Sequence, residues 1–326
     1  MKILLIDPPF YRIFGFYNRY FPVGITTIGT ALKSKGYDVL IYDADVCVNP
    51  SNIDLTKLPT LYREYLNSFK DKDNIVWTEV KEVIKLYNPD IVGISLWTNN
   101  AASGFYISKI CKEINPTCIV IMGGHHATAS ASEVLNITPH VDFVVRGQGE
   151  LTIIELVDHI QKKELCYNDI NGLSYRYDNL VKHNPDRRSS SDIDTFPYPD
   201  RSLLINEMKY TSEDFGLIMT SRGCPYSCTF CATNRDYRCR RIESVFDEIR
   251  FVKERYGTKE NYVKEAGKFQ TFAVLNSEGW FEEGEMGWFG CSSATTEDEK
   301  KWSKNFKKYI AKLSPDTLIT IVDCHI

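Results

Sequence analysis

In the stretch "SRGCPYSCTFCATNRDYRCRR", Ser221 to Arg241, four of the chain's ten cysteines fall within sixteen residues. Cys224, Cys228 and Cys231 follow the spacing C-x3-C-x2-C. Three thiolates on one short loop can hold three irons of a [4Fe–4S] cluster and leave the fourth iron open. Adding Cys239 gives C-x3-C-x2-C-x7-C, four thiolates that could instead close a tetrahedral zinc site. Arginines at 235, 238, 240 and 241 would then suggest a nucleic-acid knuckle. Zinc pairs usually come as two C-x2-C units, and the first gap here is three residues. The spacing therefore favours iron–sulfur, with Cys239 a bystander. The remaining cysteines, Cys47, Cys111, Cys118, Cys166, Cys291 and Cys324, are scattered mostly among apolar neighbours and are expected to be buried small hydrophobes.

A loop of this kind needs a scaffold. Residues 1–165 alternate short apolar runs with helical patterns. The strand candidates are "KILLID" (2–7), "DVLIYDA" (38–44), "DIVGISL" (90–96), "CIVIMGG" (118–124) and "DFVVRGQ" (142–148). Segments 24–36, 78–88, 103–115 and 150–163 carry apolar residues at three- and four-residue spacing, with a weaker helix over 129–136. Val- and Ile-rich strands alternating with helices predict an α/β fold, a Rossmann-like, doubly wound parallel sheet. Residues 46–76 read as a largely helical insertion. From 166 to 216 the pattern predicts a β-hairpin turning at Asp178-Asn179, then a proline-containing strap. "FGLIMTSRGC" predicts a strand that delivers the cysteine loop, and 242–257 an amphipathic helix. Residues 259–326 predict a small α+β unit: an aromatic hairpin, a helix capped by Thr296 and a last strand over "DTLITIVDCHI".

Ligands of open parallel sheets sit outside the carboxyl ends of the strands. Four unusual sequences fall there: Asp7-Pro8-Pro9, Ser95-Leu96-Trp97-Thr98, Gly123-Gly124-His125-His126 and Gly147-Gln148-Gly149-Glu150. Glycines admit close approach of backbone to a bulky group, and the Ser and Thr hydroxyls can hydrogen-bond it. Together on one rim they predict a large ligand, with the two histidines lining its pocket.

Ser95, 28 residues before Gly123, resembles the serine and double-glycine elements of cobalamin-binding domains. That family's Asp-x-His-x-x-Gly motif supplies a histidine to cobalt. Here Asp7 is kept, but Pro9 stands in the histidine's place. The resemblance thus implies cobalamin held without a protein histidine on cobalt, as in the branch that precedes a radical domain; "GGHHATASA", "VVRGQGE" and "TSRGCPYSCTFC" are similar to that branch. The cysteine spacing resembles the radical S-adenosylmethionine superfamily. There the open iron chelates the amino and carboxylate groups of S-adenosylmethionine, and an electron cleaves the sulfonium to a 5′-deoxyadenosyl radical. Phe230 matches the aromatic position whose neighbourhood that family uses against adenine. Arg238 and Arg240 resemble its R-x-R before the first barrel helix; they could also pair with acidic groups or substrate, or form a solvated run.

The resemblance covers about residues 1–258 and implies a radical domain that starts at 217–258 and is shortened, since a full barrel takes about 200–250 residues and one βα unit is visible. Residues 267–326 resemble the C-terminal part of small uncharacterised phage-type proteins, which implies no chemistry. The implied activity is that of a cobalamin-dependent radical S-adenosylmethionine enzyme, methyltransferase or cyclase in type, with a small-molecule substrate and an electron donor such as flavodoxin or ferredoxin. A non-catalytic cofactor-binding remnant and the zinc-knuckle module are the alternatives.

Composition narrows the field. Apolar residues make up 43% and charged residues 25%, with a formal net charge of −4. That balance gives no general attraction to nucleic acid. No apolar run is long enough to span a bilayer, and "MKILLIDPPF" reads as a first strand, not a signal peptide. A cytoplasmic location, with thiols kept reduced, is expected.

Overall fold

The computed structural model describes residues 1–16, 18, 20–47, 55–178, 180–190, 192–211, 214–226, 228–229, 231, 236–256, 273–276, 279–282 and 296–314. Contacts divide the chain into two compact units, 1–256 and 257–326.

The first unit is built on a seven-stranded sheet. Its parallel part is β1 (Lys2–Asp7), β2 (Asp38–Asp43), β3 (Ile91–Ser95), β4 (Ile119–Gly123) and β5 (Phe143–Val145), in the order β2-β1-β3-β4-β5. The expected hairpin forms as β6 (Leu173–Tyr177) and β7 (Leu180–His183), and continues the same sheet antiparallel beyond β5. Its turn residue Asp178 takes φ +50°, the left-handed conformation that Asp tolerates better than most residues.

Parallel strands covered on both faces read as continuous apolar runs because every side chain needs a partner layer. Ile3 and Leu5 join Ile25, Leu32, Ile41, Leu156 and Val157 in one core. Leu4 and Ile6 join Trp77, Val80, Ile94 and Ile107 in the other. The helices supplying these layers are α2 (Val23–Ser34), α4 (Ile75–Tyr87), α5 (Ala101–Ile114) and α8 (Gly149–Lys162), close to their expected spans. Asn74 caps α4 by accepting from Val76 N at 3.1 Å and Trp77 N at 3.4 Å. Shorter helices are α1 (Tyr11–Phe14), α6 (His125–Ala129) and α7 (Ala131–Ile137), and the insertion after β2 contains α3 (Leu58–Ser68).

The strap after β7 lies along the parallel sheet. Leu204 bridges to Ile41 of β2, and Ile205 N donates to Ile41 O at 2.8 Å. Arg201 is fully buried, and its guanidinium donates to the carbonyls of Phe215, Pro199 and Leu217 at 2.9, 2.9 and 3.1 Å. Three carbonyl acceptors and the Phe21 ring, 4.8 Å from the guanidinium carbon, take the place of water around this cation.

Two expectations need correction. The strand foreseen before the cysteine loop is only β8 (Ser221–Arg222), paired antiparallel with β9 (Arg238–Cys239). Residues 214–216 upstream form a tight helical turn instead, where Thr211 N and Oγ1 both donate to Asp214. Cys166 is exposed in the loop after α8, unlike Cys111 and Cys118, which are buried and whose thiols burial pushes up in pKa. Cys291 and Cys324 lie outside the described residues. After β9 comes α9 (Ile242–Tyr256).

In the second unit, β10 (Ala273–Asn276) pairs antiparallel with β11 (Gly279–Glu282), and α10 spans Thr296–Ile310. The last expected strand, over 316–326, lies outside the described residues.

Candidate functional site

Chain order turns back on itself at β1. Strand β2 lies on one side and β3 on the other, so the crossovers leave the sheet on opposite faces. Such a switch point opens a crevice at the carboxyl ends of the strands. The structure brings all four rim sequences to that end.

Pro8 and Pro9 follow β1 and are buried, and the Pro9 carbonyl accepts from Ser103 Oγ. After β3, Ser95 is half-buried and Thr98 exposed, while Leu96 is fully buried in the core beneath. Only the backbone of Leu96 faces the rim, and it is already engaged: its N–H donates to Gly123 O at 2.8 Å, and its carbonyl accepts from His126 N at 3.1 Å. This crossing explains Gly124. At φ +98°, a Cβ on Gly124 would lie 2.7 Å from Leu96 O and 2.9 Å from Leu96 N. The glycine lets β3 and β4 close together, so its immediate cause is the rim's own packing. Gly123 has ordinary space above it, and Gly147 has open space but φ +70°.

Both histidines stand at the start of α6. His125 stacks on Trp97, with ring centroids 4.5 Å apart and planes 33° apart, and Trp97 remains 51% exposed. His126 Nδ1 lies 3.2 Å from Thr98 Oγ1. The result is a polar and aromatic wall with an exposed edge, suited to a large ligand that has both flat and hydrogen-bonding parts.

The fourth rim sequence meets the cysteine loop. Glu150 in the first turn of α8 is 4% exposed and accepts from Arg222 Nη1 at 2.5 Å. Gln148 Oε1 accepts from Arg238 Nη1 at 3.3 Å and from Ser190 N at 3.1 Å. Arg222 and Arg238 are opposite each other in the β8–β9 ladder. The base of the loop is thus pinned to the rim by two arginines. Glu150, foreseen as lining for the ligand, is occupied by this pairing.

Arg240 and Arg241 pair with acidic groups, whereas Arg238 donates to neutral acceptors. Arg240 donates to Glu248 of α9, to Asp194 at 3.3 Å and to Met219 O at 3.0 Å, and its guanidinium lies over Tyr198. Glu248 is 1% exposed and also faces Arg201 at 3.6 Å. Arg241 donates its N–H to Asp194 Oδ2 at 2.7 Å. Although desolvation pushes Asp194 up, these donations and that of Ser244 hold it down at about 2. Arg235 and Phe230 lie outside the described residues.

Cys224 is half-buried, and Cys228 and Cys231 are exposed on the same loop, where Cys231 N donates to Cys228 O at 3.2 Å. Three thiols on a turn, with no carboxylate or imidazole among them, are a donor set for soft metal chemistry. Among the described residues, no three Cys, His, Asp or Glu side chains already converge on one point. Cys239 lies in the ladder, opposite Ser221.

The sequence reading named Asp7 but missed the two acids that stand with it. Asp7 at the end of β1 and Asp43 at the end of β2 are in register, with Asp45 just beyond. The paired spacing of aspartates after two strands was a visible signal; what surrounds them was not.

No described helix is long and apolar enough to cross a membrane. Residues 14–157 match the B12-binding domain family. An uncharacterized methyltransferase of Pyrococcus horikoshii is 37% identical over 270 residues, 80% of this chain and 52% of that protein. An anaerobic magnesium-protoporphyrin IX monomethyl ester cyclase of Rubrivivax gelatinosus is 33% identical over 181 residues, 52% of this chain and 32% of that one. The chain therefore spans about a third to a half of the length of these curated relatives. Among solved structures, the cobalamin-dependent S-adenosylmethionine radical enzyme OxsB superposes with TM-score 0.56 at 21% identity, covering 78% of this chain and 32% of that one. The radical S-adenosylmethionine methyltransferase TsrM of Kitasatospora setae gives 0.51 at 18% identity, over 78% and 45%. A B12-binding domain match followed by this cysteine loop, with these likenesses in sequence and fold, makes the chain similar to cobalamin-binding radical S-adenosylmethionine proteins.

Proposed function

We propose that this protein binds cobalamin on the rim of its parallel sheet and a [4Fe–4S] cluster on the cysteine loop, and acts on S-adenosylmethionine as a methyltransferase or cyclase of a small molecule. The observation that carries this reading is the attachment of the loop's base to the rim through Arg222–Glu150 and Arg238–Gln148. Chemistry that uses both cofactors needs them side by side, and a sheet rim and a loop that were merely consecutive in sequence would not ensure it.

Cys224, Cys228 and Cys231 would hold the cluster. Three protein ligands leave one iron for the amino and carboxylate groups of S-adenosylmethionine. When bound, the cluster supplies the electron that cleaves S-adenosylmethionine, and cobalamin supplies the methyl group in the methyltransferase case. Everything else falls to this chain's own residues. Ser95, Thr98, Trp97 and His125 would line the cobalamin side. Pro9, which has no imidazole, leaves cobalt without a side-chain ligand from that position. Arg240 and Arg201, joined through Glu248, hold α9 against the strap and so fix the far end of the loop.

The test is anaerobic reconstitution with iron and sulfide, followed by 5′-deoxyadenosine formation from S-adenosylmethionine and reductant. Product above a Cys228→Ala control supports the enzyme. A second reading, cofactor binding without turnover, is favoured by the isolation of β8–β9, a two-stranded ladder apart from the large sheet. It predicts cobalamin and iron bound, with no 5′-deoxyadenosine above the control.

A further inference from the structure

The three acids below the rim are not held alike. Asp43 accepts from Asp45 N at 2.8 Å, from Val46 N at 3.0 Å and from the Tyr210 hydroxyl. Asp45 accepts from Phe10 N at 2.5 Å, Arg12 N at 2.9 Å and Asn18 Nδ2 at 2.9 Å. Asp7 is half-buried, and its main-chain carbonyl accepts from Ala44 N at 3.0 Å, but its carboxyl accepts from no described residue, and Oδ1 is buried without a hydrogen-bond partner. A second acceptor is orphaned beside Asp43. Asn206, 8% exposed, donates Nδ2 to Asp43 O at 2.7 Å, which leaves its Oδ1 buried and unpartnered.

Buried carboxylates without donors are costly to ionise, and a proton placed on one of three neighbouring acids goes where no donor competes with it. Burial, with Asp43 and Asp45 beside it, pushes Asp7 well above the usual carboxylate range. Asp45 is pushed up to about 8 by its burial, against the donation from Arg12 N. Among the described residues, the charged and titratable groups around Asp7 are Asp43 and Asp45 from the end of β2, Tyr210 and Lys209 from the strap, and Arg12, paired with Glu79, one layer out. None of the cations reaches the Asp7 carboxyl.

We propose that Asp7 holds a proton and, from the end of β1 at the switch point, pairs with a primary carboxamide of the ligand bound there. A neutral acid and a primary amide exchange two hydrogen bonds, O–H to C=O and N–H to C=O, whereas a carboxylate can only accept. Such amides surround the ring of cobalamin, so the inference rests on the cobalamin reading and names the contact by which this chain would recognise it.

The experiment titrates hydroxocobalamin into the full chain from about pH 5.5 to 9, a window that brackets a raised carboxyl. For the wild type, affinity is expected to be highest at low pH and to fall about tenfold as pH rises. Asp7→Asn, an amide that also both donates and accepts, should bind at a nearly constant affinity; Asp7→Ala should be about tenfold weaker throughout. Asp45→Asn should keep the pH dependence and move it lower, because it removes a neighbouring charge. An infrared difference spectrum without ligand should contain a protonated-carboxyl band in the wild type that Asp7→Asn lacks. Flat wild-type binding across the range, or absence of that band, overturns the proposal. No binding of hydroxocobalamin by the wild type at any pH would instead overturn the cobalamin reading and its carboxamide contact, while the band still decides whether Asp7 holds the proton.

Discussion

Arg222 Nη1 donates to Glu150 Oε1 at 2.5 Å, so the residue two positions before the first loop cysteine is bound to the first turn of the helix that leaves the sheet's last parallel strand. The pair is largely dehydrated, with side-chain exposures of 16% and 6%, and the Arg222 guanidinium also lies 5.2 Å over the ring of Phe196. Two motifs 72 residues apart thereby become one site.

Breaking this pair on one side should cost more than removing both partners. Arg222→Ala leaves Glu150 as a buried carboxylate without its cation, at a cost of about 3–5 kcal/mol, while a matched apolar pair at both positions is close to neutral. Urea denaturation of Arg222→Ala, Glu150→Gln and the double variant gives the coupling directly. Strictly additive losses would mean that the contact is not energetically shared.

The cysteines separate by position. Cys228→Ala should lower bound iron after reconstitution from about four per chain to background. Cys239→Ala, at a ladder position, should leave iron content and the visible spectrum unchanged. One zinc per chain that is lost in Cys239→Ala would reverse the assignment and restore the knuckle reading.

Gly124→Ala should be destabilising even though the glycine sits on the rim. The added methyl meets the Leu96 backbone at 2.7 Å, and φ +98° is a conformation that L-residues rarely adopt. A loss of about 1–3 kcal/mol is expected from the strain alone, read as a lower Tm. Gly123→Ala, with its nearest neighbour 3.6 Å away, should be the milder of the two.

Acid should loosen the strap. Asp194 has its pKa depressed from 3.8 to about 2 by Arg241, Ser244 and Arg240, against the upward push of desolvation. A depressed carboxylate contributes stability that is complete above its unfolded value and disappears as pH falls through the folded one. The contribution should therefore vanish between about pH 4 and pH 2, and Asp194→Asn should flatten that limb of the stability curve. Asp7 has the opposite sign. Its raised pKa gives stability that is present below the unfolded value and lost as pH rises, so Asp7→Asn should gain most on the wild type at alkaline pH.

The sequence by itself determined the parallel sheet, because strands such as "KILLID" and "DIVGISL" are apolar on both faces and only a covered parallel sheet accommodates that. It also marked the three loop cysteines and the four rim motifs, since thiol spacing, paired glycines and prolines are local features. Tertiary structure decided which of these touch. Glu150 looked like ligand lining and is the partner of Arg222; Gly124 looked like room for a cofactor and is room for Leu96. The strand expected before the loop shrank to two residues, because strand propensity at 217–222 is realised only where a partner, β9, exists to take its hydrogen bonds. The cluster of Asp7, Asp43 and Asn206 draws on three segments spread over 200 residues, and the unpartnered acceptors on Asp7 and Asn206 are a property of burial. Burial is set by what packs against a residue, and no single stretch of chain encodes that.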